Sequence, residues 1–226
     1  MAERPLVSVI VAAFQAEAFL EDAIASILAQ DYAPFEVVVC DDGSTDRTPE
    51  ILAAHPELHT IRQPNSGPAA ARNAAVAESS GELLAIFDAD DLWPPTRLAI
   101  ETDYLAAHPE VGCVLGRQEW IDPPPWLTRD AVYGDLDGIP LVSAMLRRSA
   151  FDAVEGFDES FTHSEDMDLM FRLRERGIPI AILPDVVVFR RFHGTNLTAS
   201  APSTSPLLRS LHQKLERERA AREEAR

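Results

Sequence analysis

Residues 85–95 read AIFDADDLWPP, and this short stretch is the strongest local indication of the fold. Its three aspartates, Asp88, Asp90 and Asp91, directly follow an apolar run. Like charges this close repel one another, and burying a carboxylate without a partner costs several kcal/mol or raises its pKa until it is neutral. The stretch therefore predicts a buried strand that ends at a site for a positively charged partner.

The surrounding residues alternate between strand-like and helix-like patterns. Short apolar runs, mostly rich in β-branched residues, predict strands at 6–13, 35–40, 82–88 and 111–116, with a weaker strand at 58–63. Helical spacing of apolar residues, or a proline at the start, predicts helices at 18–30, 68–80 and 94–108. A strand, a helix and a strand in this order imply a right-handed crossover and a parallel sheet. Residues 1–116 therefore predict a doubly wound α/β sheet.

The pattern is looser beyond residue 116. Residues 118–138 hold turn residues and two tryptophans without a clear period, and predict a loop-rich insertion. We expect a strand within 139–147, a helical turn at 149–154, a helix capped by Ser164 that runs to Arg176, and one or two strands in 180–194. After residue 198 a linker-like segment leads to a short leucine stripe. This tail is expected either to dock as a helix on the body or on a second subunit, or to remain a solvated end.

Composition limits the classes of partner. The 226 residues suit one large domain, with or without an appendage. The 20 Lys+Arg and 37 Asp+Glu give a net charge of -17, so nucleic acid is not an expected partner. Cys40 and Cys113 lie in apolar runs and are expected to be reduced core residues. The first apolar segment is too short for a transmembrane span and lacks secretory-signal features, so a cytoplasmic location is expected.

Two acidic clusters each follow a predicted strand. Asp41 and Asp42 follow one, and the DADD cluster at 88–91 follows another. Ligands of open parallel sheets bind beyond the carboxyl ends of the strands, and carboxylates gathered there suit a hard divalent cation, Mn²⁺ or Mg²⁺. DDGSTD is also typical of a turn with a helix cap, and DADD of a cap for the next helix. Two such clusters at strand ends favour a functional site.

Six segments then occur in order: VSVIVAAF (7–14), VVVCDDGSTDRT (37–48), NSGPAAARNAA (65–75), FDADD (87–91), GFDESFTHSEDMDLMFRL (156–173) and RRFHG (190–194). Their succession resembles that of family 2 glycosyltransferases, nucleotide-sugar-dependent enzymes with the GT-A fold. The resemblance spans about Leu6 to Thr198. It implies one GT-A domain at 1–198, with a Rossmann-like nucleotide-binding half (1–116) and an acceptor and catalytic half (117–198). Residues 199–226 lie outside the resemblance and are expected to be a linker and a C-terminal helix, which is a candidate contact for a homodimer.

The resemblance also implies a donor site. Asp42 would accept a hydrogen bond from the nucleotide base, above a floor formed by Ala12, Ala13 and Phe14. Members of the family often carry Pro-Thr-Tyr or a similar triplet at these positions. Ala-Ala-Phe lacks those hydroxyls and leaves only backbone contacts or stacking, so the nucleotide stays open, with UDP-sugars favoured. The DAD residues would complete the site: Asp88 facing the ribose or the sugar, Ala89 beside it, and Asp90 ligating the metal.

Two further residues are assigned by the same resemblance. Arg72 would lie near the nucleotide or its phosphates, which a guanidinium can bind with two parallel hydrogen bonds; the alternative is an ion pair at the surface. His193 would be an additional metal ligand and, as an imidazole, suits Mn²⁺ better than Mg²⁺; the alternative is a structural histidine. Arg190 and Arg191 could neutralise the leaving diphosphate.

The resemblance assigns the chemistry to an acidic pair at the start of a helix. Asp166 would be the general base that deprotonates the acceptor hydroxyl, and Glu165 would orient the acceptor or a loop, in a single displacement with inversion. Acids in a first turn also stabilise a helix through its dipole, which is the structural alternative. Trp93, Trp120 and Trp126 are candidate platforms for a sugar ring or, alternatively, core residues. The acceptor, whether sugar, lipid-linked glycan, peptide or small molecule, is not indicated.

Two rival functions fit parts of the pattern. A Mg²⁺-dependent aspartyl phosphohydrolase also uses an apolar strand ending in DxD, but normally on the first strand of its domain. A non-catalytic nucleotide-sugar-binding scaffold would explain the same donor residues. The joint presence of Asp42, Asp88, Asp90, Asp166 and His193 favours an enzyme, because a scaffold would not need the complete set.

Overall fold

The computed structural model describes residues 4–121, 141–161 and 164–193. Within these ranges the strands are β1 (Val7–Ala13), β2 (Phe35–Asp41), β3 (His59–Arg62), β4 (Leu83–Asp88), β5 (Cys113–Ile121), β6 (Ala144–Arg147) and β7 (Ile180–Arg191). The α-helices are α1 (Leu20–Leu28), α2 (Thr48–Ala53), α3 (Pro68–Ala77), α4 (Arg97–Ala107), α5 (Arg148–Ala153) and α6 (Glu165–Glu175). The predicted tail and most of the predicted insertion, 122–138, lie outside the described residues.

The seven strands form one sheet in the order β3-β2-β1-β4-β6-β5-β7. β1 pairs in parallel with β2 and β4, β2 with β3, and β5 with β7. β6 alone is antiparallel to its neighbours, β4 and β5. The mostly parallel α/β sheet expected from the sequence is confirmed.

Helices cover both faces of the sheet. Alternate residues of a strand point to opposite faces, and Val9 of β1 packs in a cluster with Ile24 of α1 and Leu98 of α4. Its neighbour Ile10 belongs to the cluster on the opposite face, with Ala71 of α3 and residues of α5 and α6. Burial on both sides explains why the central strands are apolar at nearly every position.

Three local features differ from the sequence expectation. β5 continues to Ile121, because its second half pairs with β7, so 118–121 is strand rather than loop. Residues 180–191 form a single strand, which agrees with the expectation of one or two. α2 has six residues, too few to give a helical period, and was not predicted. Ser164 occupies the predicted N-cap position, but it has φ +64° and its side chain makes no capping hydrogen bond.

Two expectations from composition can be compared with the described residues. Cys40 and Cys113 are buried and unpaired, as expected, and burial raises the pKa of the Cys40 thiol to about 11. Among the described helices, none is both long enough and apolar enough to cross a bilayer.

Candidate active site

The carboxyl ends of β1, β2 and β4 meet at one edge of the sheet. In the parallel register Ala12 of β1 lies beside Cys40 of β2 on one side and Asp88 of β4 on the other. The backbone N–H of Asp42 donates to the carbonyl of Ala13 at 2.8 Å, which ties the start of the DDGS turn to β1. The fold therefore brings both acidic clusters to the predicted edge.

Asp88, Asp90 and Asp91 form a compact acidic group, with one carboxylate oxygen of each lying within 4.8 Å of the others. Asp91 is 2% exposed. Its Oδ1 accepts a hydrogen bond from the backbone N–H of Arg191, whereas its Oδ2 has no hydrogen-bond partner and lies 3.7 Å from Nε of Arg190. Burial, followed by the charges of Asp88 and Asp90, raises the pKa of Asp91 to about 8. The neighbouring positive groups thus only partly offset the negative charge of these carboxylates, which suits a divalent cation.

His193 is held beside this group. Its Nε2 lies 2.9 Å from Oδ2 of Asp90, and its ring stacks on Phe19 with centroids 4.3 Å apart. Burial and the charge of Asp88 raise the pKa of Asp90, while the contact with His193 opposes that shift. The structure therefore brings together the two residues that the sequence analysis assigned to the metal, which are 103 positions apart.

Asp41 and Asp42 are engaged elsewhere. Asp42 accepts hydrogen bonds from the Gln63 amide at 2.8 Å and from the backbone N–H groups of Ser66 and Gly67, each at 2.9 Å. Asp41 accepts one from the N–H of Ser44 and lies 3.3 Å from Nε of Arg62. Three of the five predicted carboxylates therefore form the compact group, and Asp42 instead anchors the loop at 63–67.

The predicted nucleotide floor, Ala12, Ala13 and Phe14, combines two small residues with one exposed ring, and Ala89 lies at the end of the neighbouring strand. Ala13 is fully buried and Ala89 is 6% exposed, whereas Phe14 is 52% exposed. A flat aromatic face at the end of a strand offers stacking and no hydrogen bond. The role of Asp42 and of these residues toward a base stays a prediction.

Arg72 connects the acidic group to the predicted catalytic helix. Its guanidinium donates to Oδ1 of Asp88 at 2.8 Å and to Oε1 of Glu165 at 2.6 Å. Arg72 is 7% exposed, so the alternative of an ion pair at the surface is wrong; its carboxylate pairs are buried or partly buried. Its predicted contact with phosphates stays a prediction.

Asp166 follows Glu165 in the first turn of α6 and is half-buried. Its Oδ1 accepts a hydrogen bond from the backbone N–H of Met167 at 2.8 Å. Burial and the neighbouring charge of Glu165 raise the pKa of Asp166. A raised pKa makes a carboxylate a stronger base than an exposed aspartate, which suits proton abstraction.

Some of the candidate tryptophans and arginines lie in the core, and others lie near the acidic group. Trp93 is buried, and Cζ of Arg97 lies 4.0 Å from the centre of its ring. Trp93 is therefore a core residue and cannot stack on a sugar ring. Trp120 lies 4.9 Å from the guanidinium of Arg190, and Trp126 is outside the described residues. Arg191 pairs with Asp22 at 3.2 Å. Phe19 was missed by sequence reasoning, since no local pattern links it to His193.

The sheet, its one antiparallel strand and the acidic edge define a GT-A glycosyltransferase fold. The profile of glycosyl transferase family 2 matches residues 8–163, more than half of the chain. The chain belongs to this family. The phosphohydrolase alternative is thereby disfavoured, as it is by the position of the DxD sequence on the fourth strand.

Similar proteins support this assignment. Chondroitin synthase of Escherichia coli is 30% identical over 204 residues, which cover 85% of this chain and 30% of that protein. A crystal structure of S. aureus TarS 1–349 with UDP-GlcNAc superposes with a TM-score of 0.74 at 22% identity, covering 86% of this chain and 61% of that one. Mannosyltransferase PcManGT from Pyrobaculum calidifontis, in complex with GDP-Man and Mn²⁺, superposes with a TM-score of 0.64 at 28% identity, covering 84% and 57%. The chain thus spans less than two thirds of each.

Proposed function

We propose that this chain is an inverting glycosyltransferase that moves a sugar from a nucleoside-diphosphate sugar, with UDP-sugars favoured, to an acceptor hydroxyl. The observation that carries the proposal is the compact group of Asp88, Asp90 and Asp91 beside His193, linked through Arg72 to the helix that bears Asp166. Donor residues and a candidate base are thereby joined in one site. We assign them to one domain over 1–198, with the tail at 199–226 outside it.

The donor would lie along the edge formed by β1, β2 and β4. Phe14 would stack on the base above Ala12 and Ala13, and Asp42 would offer its remaining acceptor capacity to a base N–H. Asp88 and Ala89 would line the ribose and sugar. TarS was crystallised with UDP-GlcNAc and PcManGT with GDP-Man, so both nucleotides occur among similar folds and UDP is the first to test.

The residues present fit a divalent cation, Mn²⁺ or Mg²⁺. Oδ2 of Asp91 is buried without a hydrogen-bond partner, and the oxygens of the acidic group converge. Asp90 and His193 would hold the ion. When bound, it supplies positive charge that stabilises the leaving diphosphate.

Asp166 would remove the proton from the acceptor hydroxyl. The acceptor oxygen then attacks the anomeric carbon from the face opposite the diphosphate, so the new bond forms as the bond to the nucleotide breaks and the configuration inverts. Glu165 is held by Arg72 and would keep the first turn of α6 in place. The raised pKa of Asp166 lets its carboxylate hold the proton while the product leaves.

The proposal is tested by calorimetric titration of UDP, GDP and dTDP into the purified protein, with Mn²⁺ and again with EDTA. We expect one nucleotide to bind with Mn²⁺ and to lose at least tenfold in affinity with EDTA or in Asp90→Ala. Hydrolysis of the matching nucleotide sugar then separates an enzyme from a binding scaffold. The proposal is wrong if no nucleotide binds under either condition.

A further inference from the structure

Arg72 joins two elements that carry different parts of the proposed site. Asp88 ends β4 on the donor side, and Glu165 begins α6, the helix of the proposed base. One guanidinium nitrogen contacts each carboxylate, at 2.8 and 2.6 Å. These partners lie 16 and 93 positions away in the sequence, so the bridge forms only in the folded chain.

The start of α6 depends on this bridge. Ser164 gives the helix no side-chain cap, and Glu165 is 7% exposed. A buried carboxylate is stable only when it is paired, and removing its partner leaves a costly unpaired charge. The contact with Arg72 therefore holds the first turn of α6 against the end of β4. Because Asp166 is the next residue, its position follows from the same contact.

The surroundings of Arg72 leave little room for a phosphate. Its Nε is buried and has no hydrogen-bond partner, and its two terminal nitrogens are each directed to a carboxylate. The guanidinium also lies 5.7 Å from the centre of the Phe157 ring. Two of its five N–H donors are committed to carboxylates and the side chain is 7% exposed, so a diphosphate would have to compete with Asp88 and Glu165 for it.

We propose that Arg72 is a positioning residue that fixes the first turn of α6 relative to Asp88 and thereby places Asp166 for proton removal, instead of binding the diphosphate. This inference rests on the proposed function, because it takes Asp166 as the base. The charge of Arg72 also lowers the pKa of Asp166, against the larger effects of burial and of Glu165. Its removal should therefore shift the acid limb of the pH–rate profile to higher pH.

The test compares Arg72→Met with Glu165→Gln and with Arg47→Met as matched control, since Arg47 forms an ion pair with Glu50 in which both side chains are about three-quarters exposed. Three quantities are measured: the Kd for UDP with Mn²⁺, the kcat and KM for hydrolysis of UDP-sugars from a panel, and amide hydrogen exchange in residues 165–169. Melting temperatures verify that each variant is folded.

We expect Arg72→Met to keep the Kd for UDP within about threefold, to lower kcat by about 10- to 100-fold, and to speed exchange in 165–169 at least tenfold. Glu165→Gln should act in the same direction, and Arg47→Met should change nothing. If Arg72→Met does not fold, Arg72→Lys retains the charge but not the two-sided bridge, and should give an intermediate kcat.

Several results would overturn the inference. A Kd for UDP weakened more than tenfold with kcat retained would make Arg72 a phosphate contact. If Arg72→Met speeds amide exchange but leaves kcat unchanged, the role of Arg72 is only structural. If amide exchange in 165–169 is unchanged, the bridge does not hold the first turn of α6. A wild-type protein that binds none of UDP, GDP and dTDP contradicts the proposed function instead, and the exchange comparison still decides whether Arg72 fixes α6.

Discussion

Asp166 and Glu165 are neighbours with different surroundings. The carboxylate of Glu165 is committed to Arg72, whereas that of Asp166 contacts the backbone N–H of Met167 at its own helix start. Among the acids of the first turn, Asp168 is fully buried and paired with Arg172. This leaves Asp166 as the acid of that turn best able to exchange a proton with a ligand.

Asp166→Asn should lower kcat for sugar transfer or hydrolysis by about 10²- to 10⁴-fold, because an amide cannot accept the proton. The Kd for UDP should stay within about threefold, since Asp166 is not assigned to the donor. Steady-state kinetics and calorimetry measure the two quantities, with the exposed Asp152→Asn as control. Full activity of Asp166→Asn would show that another group is the base.

The ion pair between Arg97 and Glu101 has no solvent exposure. Nε of Arg97 lies 3.0 Å from Oε2 of Glu101, and Oε1 of Glu101 has no hydrogen-bond partner. Burial raises the pKa of Glu101 to about 7, although Arg97 opposes the shift. The folded state therefore keeps a proton at pH values where an unfolded glutamate, with a pKa near 4.5, has lost it.

This shift makes the contribution of Glu101 to stability fall as pH rises from about 5 to about 7, since the folded state binds more protons in that window. We expect the free energy of unfolding of the wild type, relative to Glu101→Gln, to decrease over this range. Urea unfolding at pH 5, 6, 7 and 8 measures it, with the exposed Glu50→Gln as control. A constant difference between wild type and Glu101→Gln would contradict the shifted pKa.

At the scale of elements, two adjacent arginines join β6 and α5 to the helices on either face of the sheet. Arg147, the last residue of β6, donates to the carbonyls of Val111 and Leu105 near the end of α4. Arg148 donates to the carbonyls of Gly81 and Val76 and to the Ser79 hydroxyl, near the end of α3. Cationic side chains stabilise helix C-termini, where carbonyl groups lack partners.

Replacing Arg148 by Met should lower the free energy of unfolding by about 1–3 kcal/mol, because three acceptors lose a charged donor. Arg47→Met, on an exposed surface, should stay within about 0.5 kcal/mol of the wild type. Urea denaturation compares the two variants. Equal stability of both would mean that β6 and α5 do not depend on this anchor.

At the scale of the whole molecule, the described residues pack a hydrophobic core on each face of the sheet. Helices cover both faces of the sheet between residues 4 and 193, with apolar clusters on each side. The net charge of -17 belongs to the entire chain and gives no broad attraction to polyanions. If the acidic edge binds a nucleoside diphosphate as proposed, a local cation would have to offset the repulsion between the carboxylates and the phosphates.

A chain that ends at residue 198 should keep its melting temperature within about 2 °C of the full chain and bind UDP equally well, because it retains both of the described hydrophobic clusters. Thermal unfolding and calorimetry test this domain boundary. Sedimentation of both chains tests the tail as a dimer contact: a dimer that becomes a monomer on truncation would support it. A large fall in melting temperature would place the tail within the domain.

The sequence determined the type and order of most elements and the candidate residues of the site. Apolar runs predicted β1, β2 and β4, and the acids that follow two of them predicted the ligand edge. These features are local: a strand buried on both faces requires a short apolar run, and the residues at its end are adjacent in the chain.

Only the tertiary structure decided which of these residues meet. β6 enters antiparallel between β4 and β5, Arg72 selects Asp88 and Glu165, and Phe19 stacks on His193. Asp41 and Asp42 bind their own loops, while Asp91 joins the acidic group. Such contacts depend on which faces of the helices and strands pack together. That packing is set by the burial of many residues that are distant in the sequence, so a local sequence pattern does not predict it.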